Sequence, residues 1–239
     1  MRTPRIYQAI DTQPGTEIQL AEHGLKHLTQ VLRMREGDAF ILFNGTGRAW
    51  QARLLIIAKR QASAIIELEL DHQTESPLAI HLGLGISKGD RMDYAIQKAV
   101  ELGVNAITPL FTRYSMVKLD DRRREKRHQH WQGIIIGACE QGGRNQLPEL
   151  NQAMHNHDWL ATTEADIKLI LDPLASESIS DITQTPESAS LYIGPEGGLS
   201  DEEITDAKTA GFTGIRLGPR ILRTETAVVS AITAAQLVW

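Results

Sequence analysis

The chain contains a single cysteine, Cys139. That excludes an intramolecular disulfide and any cysteine-based metal cluster. Its setting, IIIGACEQ, is that of a small core residue rather than a nucleophile. No apolar run is long enough to cross a bilayer, and MRTPRIYQAI lacks a signal-peptide pattern. No membrane association and a cytoplasmic location are therefore expected. Histidine is absent after His157, and no H-E-x-x-H motif occurs. The pairs His128-x-His130 and His155-x-His157 have i,i+2 spacing, which points side chains apart on a helix, so no metal site is expected.

What is present is an ordinary globular composition, 41% hydrophobic and 23% charged over 239 residues. This suffices for one large domain or two modest ones. The net charge of −5 hides a segregation. Between Glu149 and Asp206 there are 13 acidic residues and one lysine, Lys168, so the remainder carries a net +7. The densest basic stretch holds Arg113, Lys118, Arg122, Arg123, Arg124, Lys126 and Arg127. Such a stretch is either a solvated helix face or a surface that tracks phosphates.

Residues 1–72 read as short strands interrupted by one helix, roughly Glu22 to Leu32. DAFILFNGTGRAWQARLLII is two strand-like runs around the turn signal Asn44-Gly45, and ASAIIELEL is a further strand. This describes a small β-barrel module. DHQTESP, Asp71–Pro77, reads as a linker. From residue 77 to 239, strands alternate with helices. The strands are LAIHLGLGIS, AITPLF, IKLILDP, SLYIGPE and GIRLG. In DRMDYAIQKAVELGV, residues Met92, Ile96, Ala99 and Val100 fall on one helical face. A second helix, around REKRHQHWQGIIIGACEQ, turns Trp131, Ile134, Ile135 and Ala138 inward. Ser200 opens a helix with a capping box to Glu203, and Thr224 is the expected N-cap of a terminal helix. The alternation predicts an α/β domain with a parallel sheet covered on both faces.

Three motifs compete for the chemistry. Gly85-Ile86-Ser87-Lys88-Gly89 matches G-x-S-x-G at a strand–helix junction, where a hydrolase nucleophile elbow belongs. That elbow needs a base histidine late in the chain, where none exists, so a Ser87 hydrolase is disfavoured and Lys88 and Arg91 read as cations at a site mouth. Gly83-Leu84-Gly85 has Lys88 where a dinucleotide fingerprint needs its third glycine. The third motif is IGPEGGLS, Ile193–Ser200. A glycine loop before a helix often binds phosphate. Here the first helical turn is Asp201-Glu202-Glu203, which repels phosphate and suits a neutral or cationic group.

A second loop, LGPRILRTETA (Leu217–Ala227), repeats the strand–Gly-Pro–helix arrangement. It packs Arg220, Arg223 and Glu225 into a short stretch. IGPEGGLS together with LGPRILRTETA resembles the signature of SPOUT-class RNA methyltransferases. More closely, it resembles the bacterial small-subunit ribosomal RNA uridine-N3 methyltransferases, the RsmE family. HLTQVLRMREGD, SKGDRMDYAIQKAVELGVNAITPL and ACEQGGRNQLPEL extend the likeness along the chain.

The resemblance implies a C-terminal SPOUT domain with a deep trefoil knot and an N-terminal PUA-like RNA-binding barrel. It implies a homodimer acting on one uridine of 16S ribosomal RNA in the small ribosomal subunit. It also implies S-adenosylmethionine held in the knot by Leu171, Ile193, Gly194, Glu196, Gly197, Gly198, Leu217, Gly218, Ile221, Leu222 and Ala227. S-adenosylmethionine is a sulfonium cation without phosphate, which agrees with the acidic rim. Uridine N3 must lose its proton before attack. Glu225 is the candidate base, Glu196 the alternative, and Arg223 the anion stabiliser. Arg33, Arg35, Lys88, Arg91, Arg113 and Arg144 are the candidate RNA contacts. A non-catalytic RNA-binding or ribosome-assembly protein is the other reading.

Overall fold

The computed structural model describes residues 3–58, 61–71, 74–115 and 121–239. The chain divides into two compact units, Met1–Glu75 with Ile136–Leu147, and Ser76–Ile135 with Pro148–Trp239. The segment Ile136–Leu147 thus groups with the first unit, whereas the sequence reading assigned all of 77–239 to the second domain.

The first unit holds β1 (Arg5–Tyr7), β2 (Glu17–Gln19), β3 (Ala39–Phe43), β4 (Ala49–Ala58) and β5 (Gln61–Leu70). They form one sheet in the order β1-β3-β4-β5-β2. The β1–β3 pair is parallel and the others are antiparallel. Alternation drives the pairing. Phe40 and Leu42 on β3, and Trp50, Ala52 and Leu54 on β4, are buried in one core with Ile6, Leu28 and Ile66. On the opposite face of β4, Arg53 pairs with Glu67 of β5 across the ladder, a cross-strand pair that solvent screens. Two register shifts in β4–β5, at Gln51/Ala52 and Leu54/Ile56, bend this pair.

The β3–β4 connection is longer than the two-residue turn suggested by Asn44-Gly45. It runs from Asn44 to Arg48, with the Asn44 side-chain oxygen accepting the Thr46 and Arg48 N–H groups. Gly45 and Gly47 both lie at positive φ, 81° and 101°. The expected helix at 22–32 is α1 (Glu22–Lys26), followed by one π-helical turn over His27–Val31.

The second unit holds β6 (Ala79–Gly85), α2 (Asp90–Glu101), β7 (Ala106–Phe111), α3 (Asp121–Gly142, whose residues from Ile136 belong to the first unit), β8 (Glu149–Leu150), β9 (Met154–His155), α4 (Asn156–Thr162), β10 (Ile167–Leu171), β11 (Ser188–Ile193), α5 (Asp201–Thr209), β12 (Thr213–Ile215) and α6 (Thr224–Val238). The seven strands form a sheet in the order β12-β10-β11-β6-β7-β8, with β9 also on β7. Every pairing is parallel. A parallel sheet needs cover on both faces, and β11 is buried throughout Ala189–Ile193.

The face of α2 read from periodicity is fully buried, with Met92, Ile96, Ala99 and Val100 all at 0% exposure. Burial of such side chains is worth about 1.5–3 kcal/mol each for the larger ones. On α3, Trp131, Ile135 and Ala138 are buried, but Ile134 is only half-buried. Helix α6 packs against α2 and β11. Helices α4 and α5 share a cluster of Leu110, Trp159, Ile170, Tyr192, Ala207 and Phe212.

Candidate functional site

All the glycine loops lie at one edge of the second sheet, because its strands are parallel and each loop follows a strand. Gly85, Phe111, Leu171, Ile193 and Ile215 end β6, β7, β10, β11 and β12. Ligands of open parallel sheets bind at that edge, where connections leave in opposite directions. Here β6 connects to its neighbour β7 on one side, while β11 lies on the other.

The β6 and β11 loops are pressed together. A Cβ on Gly85 would lie 2.4 Å from Pro195 Cδ and 2.5 Å from Pro195 N. A Cβ on Gly194 would lie 2.9 Å from Leu199 Cγ, and one on Gly197 would lie 2.7 Å from Tyr114 Cβ. Gly198 sits at φ 75° and Gly218, in the second loop, at φ 80°. These positions need glycine for space or for backbone conformation.

Glu196 fastens the first loop. Its Oε1 accepts the Lys88 N–H at 2.9 Å and lies 3.6 Å from an Arg91 nitrogen. Burial pushes the carboxyl up. The Lys88 N–H, its own N–H, the neighbouring Ser87 hydroxyl and the Arg91 charge outweigh burial and hold it below the ordinary value. Glu196 is therefore an ionised anchor.

Ser200 caps α5 as expected. Its Oγ accepts the Glu203 N–H, and the Glu203 carboxylate accepts the Ser200 N–H, an arrangement worth about 1 kcal/mol. Glu203 also accepts the Arg113 N–H at 2.9 Å, and Glu202 pairs with the Arg113 guanidinium at 3.3 Å. The acidic turn is thus partly occupied by holding the β7 loop.

A cleft of about 550 Å³ opens beside these loops, lined by Lys88, Arg91, Arg113, Tyr114, Ser115, Glu196 and Gly197. Three sequence-nominated cations are brought together there with the first glycine loop. Tyr114 and Ser115, also in the lining, belong to no motif. Their only sequence mark is that polar residues follow the apolar strand AITPLF, and Ser115 folds back so that its Oγ accepts the Thr112 N–H.

Leu171 is half-buried at the end of β10, and the buried Asp172 beside it accepts Lys208 Nζ at 3.2 Å. Leu217 and Leu222 are half-buried, whereas Ile221 is 86% exposed. Ala227 is buried on α6. The N-cap of α6 is Arg223, one residue earlier than expected, with Thr224 buried as the first helical residue. Arg223 is exposed, and Glu225 is half-buried with an Oε2 that has no hydrogen-bond partner among the described residues.

Other nominated residues lie elsewhere. Arg33 (at φ 52°) and Arg35 are exposed in the first unit. Arg144 is not a surface cation. Its side chain is 5% exposed and paired with Glu75, because the loop after α3 turns it into the first unit. Lys118 of the basic stretch lies outside the described residues. Ser87 is 1% exposed and directs its hydroxyl at the Gly85 carbonyl, 3.4 Å away. It is no nucleophile elbow, since an elbow serine must face the solvent.

Comparison with known proteins identifies the family. Residues 74–236 match a family described as the RNA methyltransferase domain, and residues 20–67 match the RNA methyltransferase PUA domain. The ribosomal RNA small subunit methyltransferase E of Buchnera aphidicola (subspecies Schizaphis graminum) is 40% identical, with 99% of this chain and 96% of that protein aligned. A Legionella pneumophila methyltransferase solved with the bound cofactor SAM is 44% identical, covers 99% of this chain and 98% of its own, and superposes with a TM-score of 0.97. The Neisseria gonorrhoeae ribosomal RNA small subunit methyltransferase E, solved bound to S-adenosyl methionine, is 39% identical over 100% of this chain and 98% of its own, with a TM-score of 0.94. This chain belongs to the ribosomal RNA small subunit methyltransferase E family.

Proposed function

We propose that the protein transfers the methyl group of S-adenosylmethionine to N3 of one uridine in 16S ribosomal RNA of the small ribosomal subunit. The observation that carries this reading is the convergence of a crowded glycine loop and three cations at one edge of a parallel sheet. The names of the relatives support the RNA class, and the cofactor bound in two of them supports the methyl donor.

The residues fit such a donor. Gly194, Gly197 and Gly198 offer backbone without side chains, and Leu171, Leu217 and Leu222 offer partly buried apolar surface. Ile193, Glu196, Gly218, Ile221 and Ala227 complete the two walls. The bound donor supplies an electrophilic methyl group on a sulfonium centre.

The chain does the remainder. Lys88, Arg91 and Arg113 draw RNA phosphates to the cleft, while Arg33 and Arg35 add contacts from the PUA unit. Glu225 takes the N3 proton of the uridine and Arg223 stabilises the resulting anion. Glu225 and Glu196 each keep a buried Oε2 without a partner among the described residues, but Glu196 is tied to Lys88 and Arg91 through Oε1, which supports Glu225 as the base. The trefoil knot and the homodimer belong to the same reading. The exposed apolar side chains of Ile221 and Leu237, at 86% and 81%, support a surface covered by another subunit.

The test is methyl transfer from labelled S-adenosylmethionine to undermethylated small subunits, with the product nucleoside read by mass spectrometry. Wild-type protein is expected to yield 3-methyluridine. Glu225→Gln is expected to lose about 10²–10⁴-fold in transfer with unchanged donor affinity. Subunit binding without methyl incorporation would make this an RNA-binding assembly protein. Full activity of the variant would leave Glu225 a helix N-terminal charge.

A further inference from the structure

We infer that the first unit carries a binding site for a divalent transition-metal ion, of the zinc class, formed by His23, His27 and Glu140. These three residues gather one donor atom each within 4.8 Å of one another. His23 and His27 are four apart, His23 on α1 and His27 at the start of the π-helical turn that continues it. Their rings are 6.1 Å apart, centre to centre. This differs from the i,i+2 pairs at His128 and His155, which alone were weighed from sequence.

Glu140 comes from the end of α3, in the segment that groups with the first unit. Its side chain is 6% exposed, and its two ion-pair partners among the described residues are these two imidazoles. A buried carboxylate is costly unless a cation meets it. A neutral imidazole answers part of that need by donating an N–H, as the 3.4 Å contact of His23 Nε2 with Oε1 allows, and a shared metal ion answers it fully.

The spacing is near that of a metal site. Zinc–nitrogen and zinc–oxygen bonds of about 2.0–2.2 Å in a tetrahedron separate neighbouring ligand atoms by about 3.3–3.6 Å. His23 Nε2 lies 3.4 Å from Glu140 Oε1, inside that range, while His27 Nδ1 lies 4.0 Å from Oε2 and has to close in by a few tenths of an ångström on an ion. The Tyr7 N–H donates to Glu140 Oε1 at 3.1 Å and orients the carboxylate, as outer partners of metal ligands do. His23 is 60% exposed at its side chain, which leaves an entry path and an open fourth position for water. Two histidines and one carboxylate are a zinc donor set. The ion would tie α1 to the end of α3 within the first unit, independently of methyl transfer.

The test uses tag-free, chelator-treated full-length protein titrated with zinc by calorimetry, and with cobalt by visible absorption. One ion per chain with a rise in melting temperature is expected. His23→Ala and His27→Ala should weaken binding by more than the roughly 10–100-fold that loss of an outer-shell partner costs. His155→Ala should leave it unchanged. Because His23 is exposed, its variant keeps the fold, which circular dichroism verifies. Absence of saturable binding by the wild-type protein, or equal affinity in the His23 and His27 variants, would overturn the site.

Discussion

At the scale of single residues, the fold sets protonation by what surrounds each group. Burial lowers the pKa of His81 on β6 from its ordinary 6.5. Its Nε2 lies 2.8 Å from Thr108 Oγ1 and accepts the Trp159 indole N–H at 3.3 Å. The indole can lie there because Gly83 has no side chain; a Cβ would stand 2.5 Å from the ring. With its pKa depressed, folded His81 binds fewer protons than the unfolded chain. Its neutral form therefore favours folding above about pH 6.5, and that contribution is lost as pH falls below this value. His81→Gln should show a flatter fall in melting temperature between pH 7 and pH 5 than the wild type, measured by scanning calorimetry. Identical slopes would remove His81 from the pH response. Cys139 behaves in the same physical way. Burial raises its thiol to about 12, so it is the inert core residue expected from its sequence setting.

At the scale of elements, the helices were legible and the loop contacts were not. Periodicity located α2 and its buried face because a helix repeats locally. The Ser200–Glu203 capping box was readable because its partners are three residues apart. The Thr224 cap was misplaced by one residue, since cap identity depends on backbone angles at the junction, here those of Arg223. The crowding of Gly85 against Pro195 joins residues far apart in sequence, and no local pattern encodes it. Gly85→Ala should push the 194–198 loop away from β6 and destabilise the second unit by about 1–3 kcal/mol. Urea denaturation would measure the cost, and the same variant should bind S-adenosylmethionine more weakly. Unchanged stability would mean that Pro195 yields without strain.

At the scale of the whole molecule, charge segregation becomes spatial. Cations from three places along the sequence, Lys88, Arg91 and Arg113, share one cleft with the glycine loop. The acidic turn beside it is used to hold Arg113 and Ser200. If the site takes a phosphate-free donor, S-adenosylmethionine at 100 times its Kd should stabilise the protein by about 2.7 kcal/mol. That corresponds to a melting-temperature rise of several degrees for a chain of this size. ATP, with the same adenine but a triphosphate in place of the sulfonium, should give a smaller shift. A larger shift with ATP would contradict the donor specificity argued from the acidic rim.

The sequence by itself determined the class of the second unit, its glycine loops and the family likeness, because these depend on short-range patterns of periodicity, turn residues and motif spacing. Only the tertiary structure decided that Arg144 is buried against Glu75, sixty-nine positions away. It alone buried Ser87, set Glu196 to anchor a loop and brought Glu140 to His23 and His27. Each of these depends on which surfaces meet when parallel strands order themselves and α3 ends in the first unit. Those encounters are set by long-range packing of apolar faces, which no window of neighbouring residues contains.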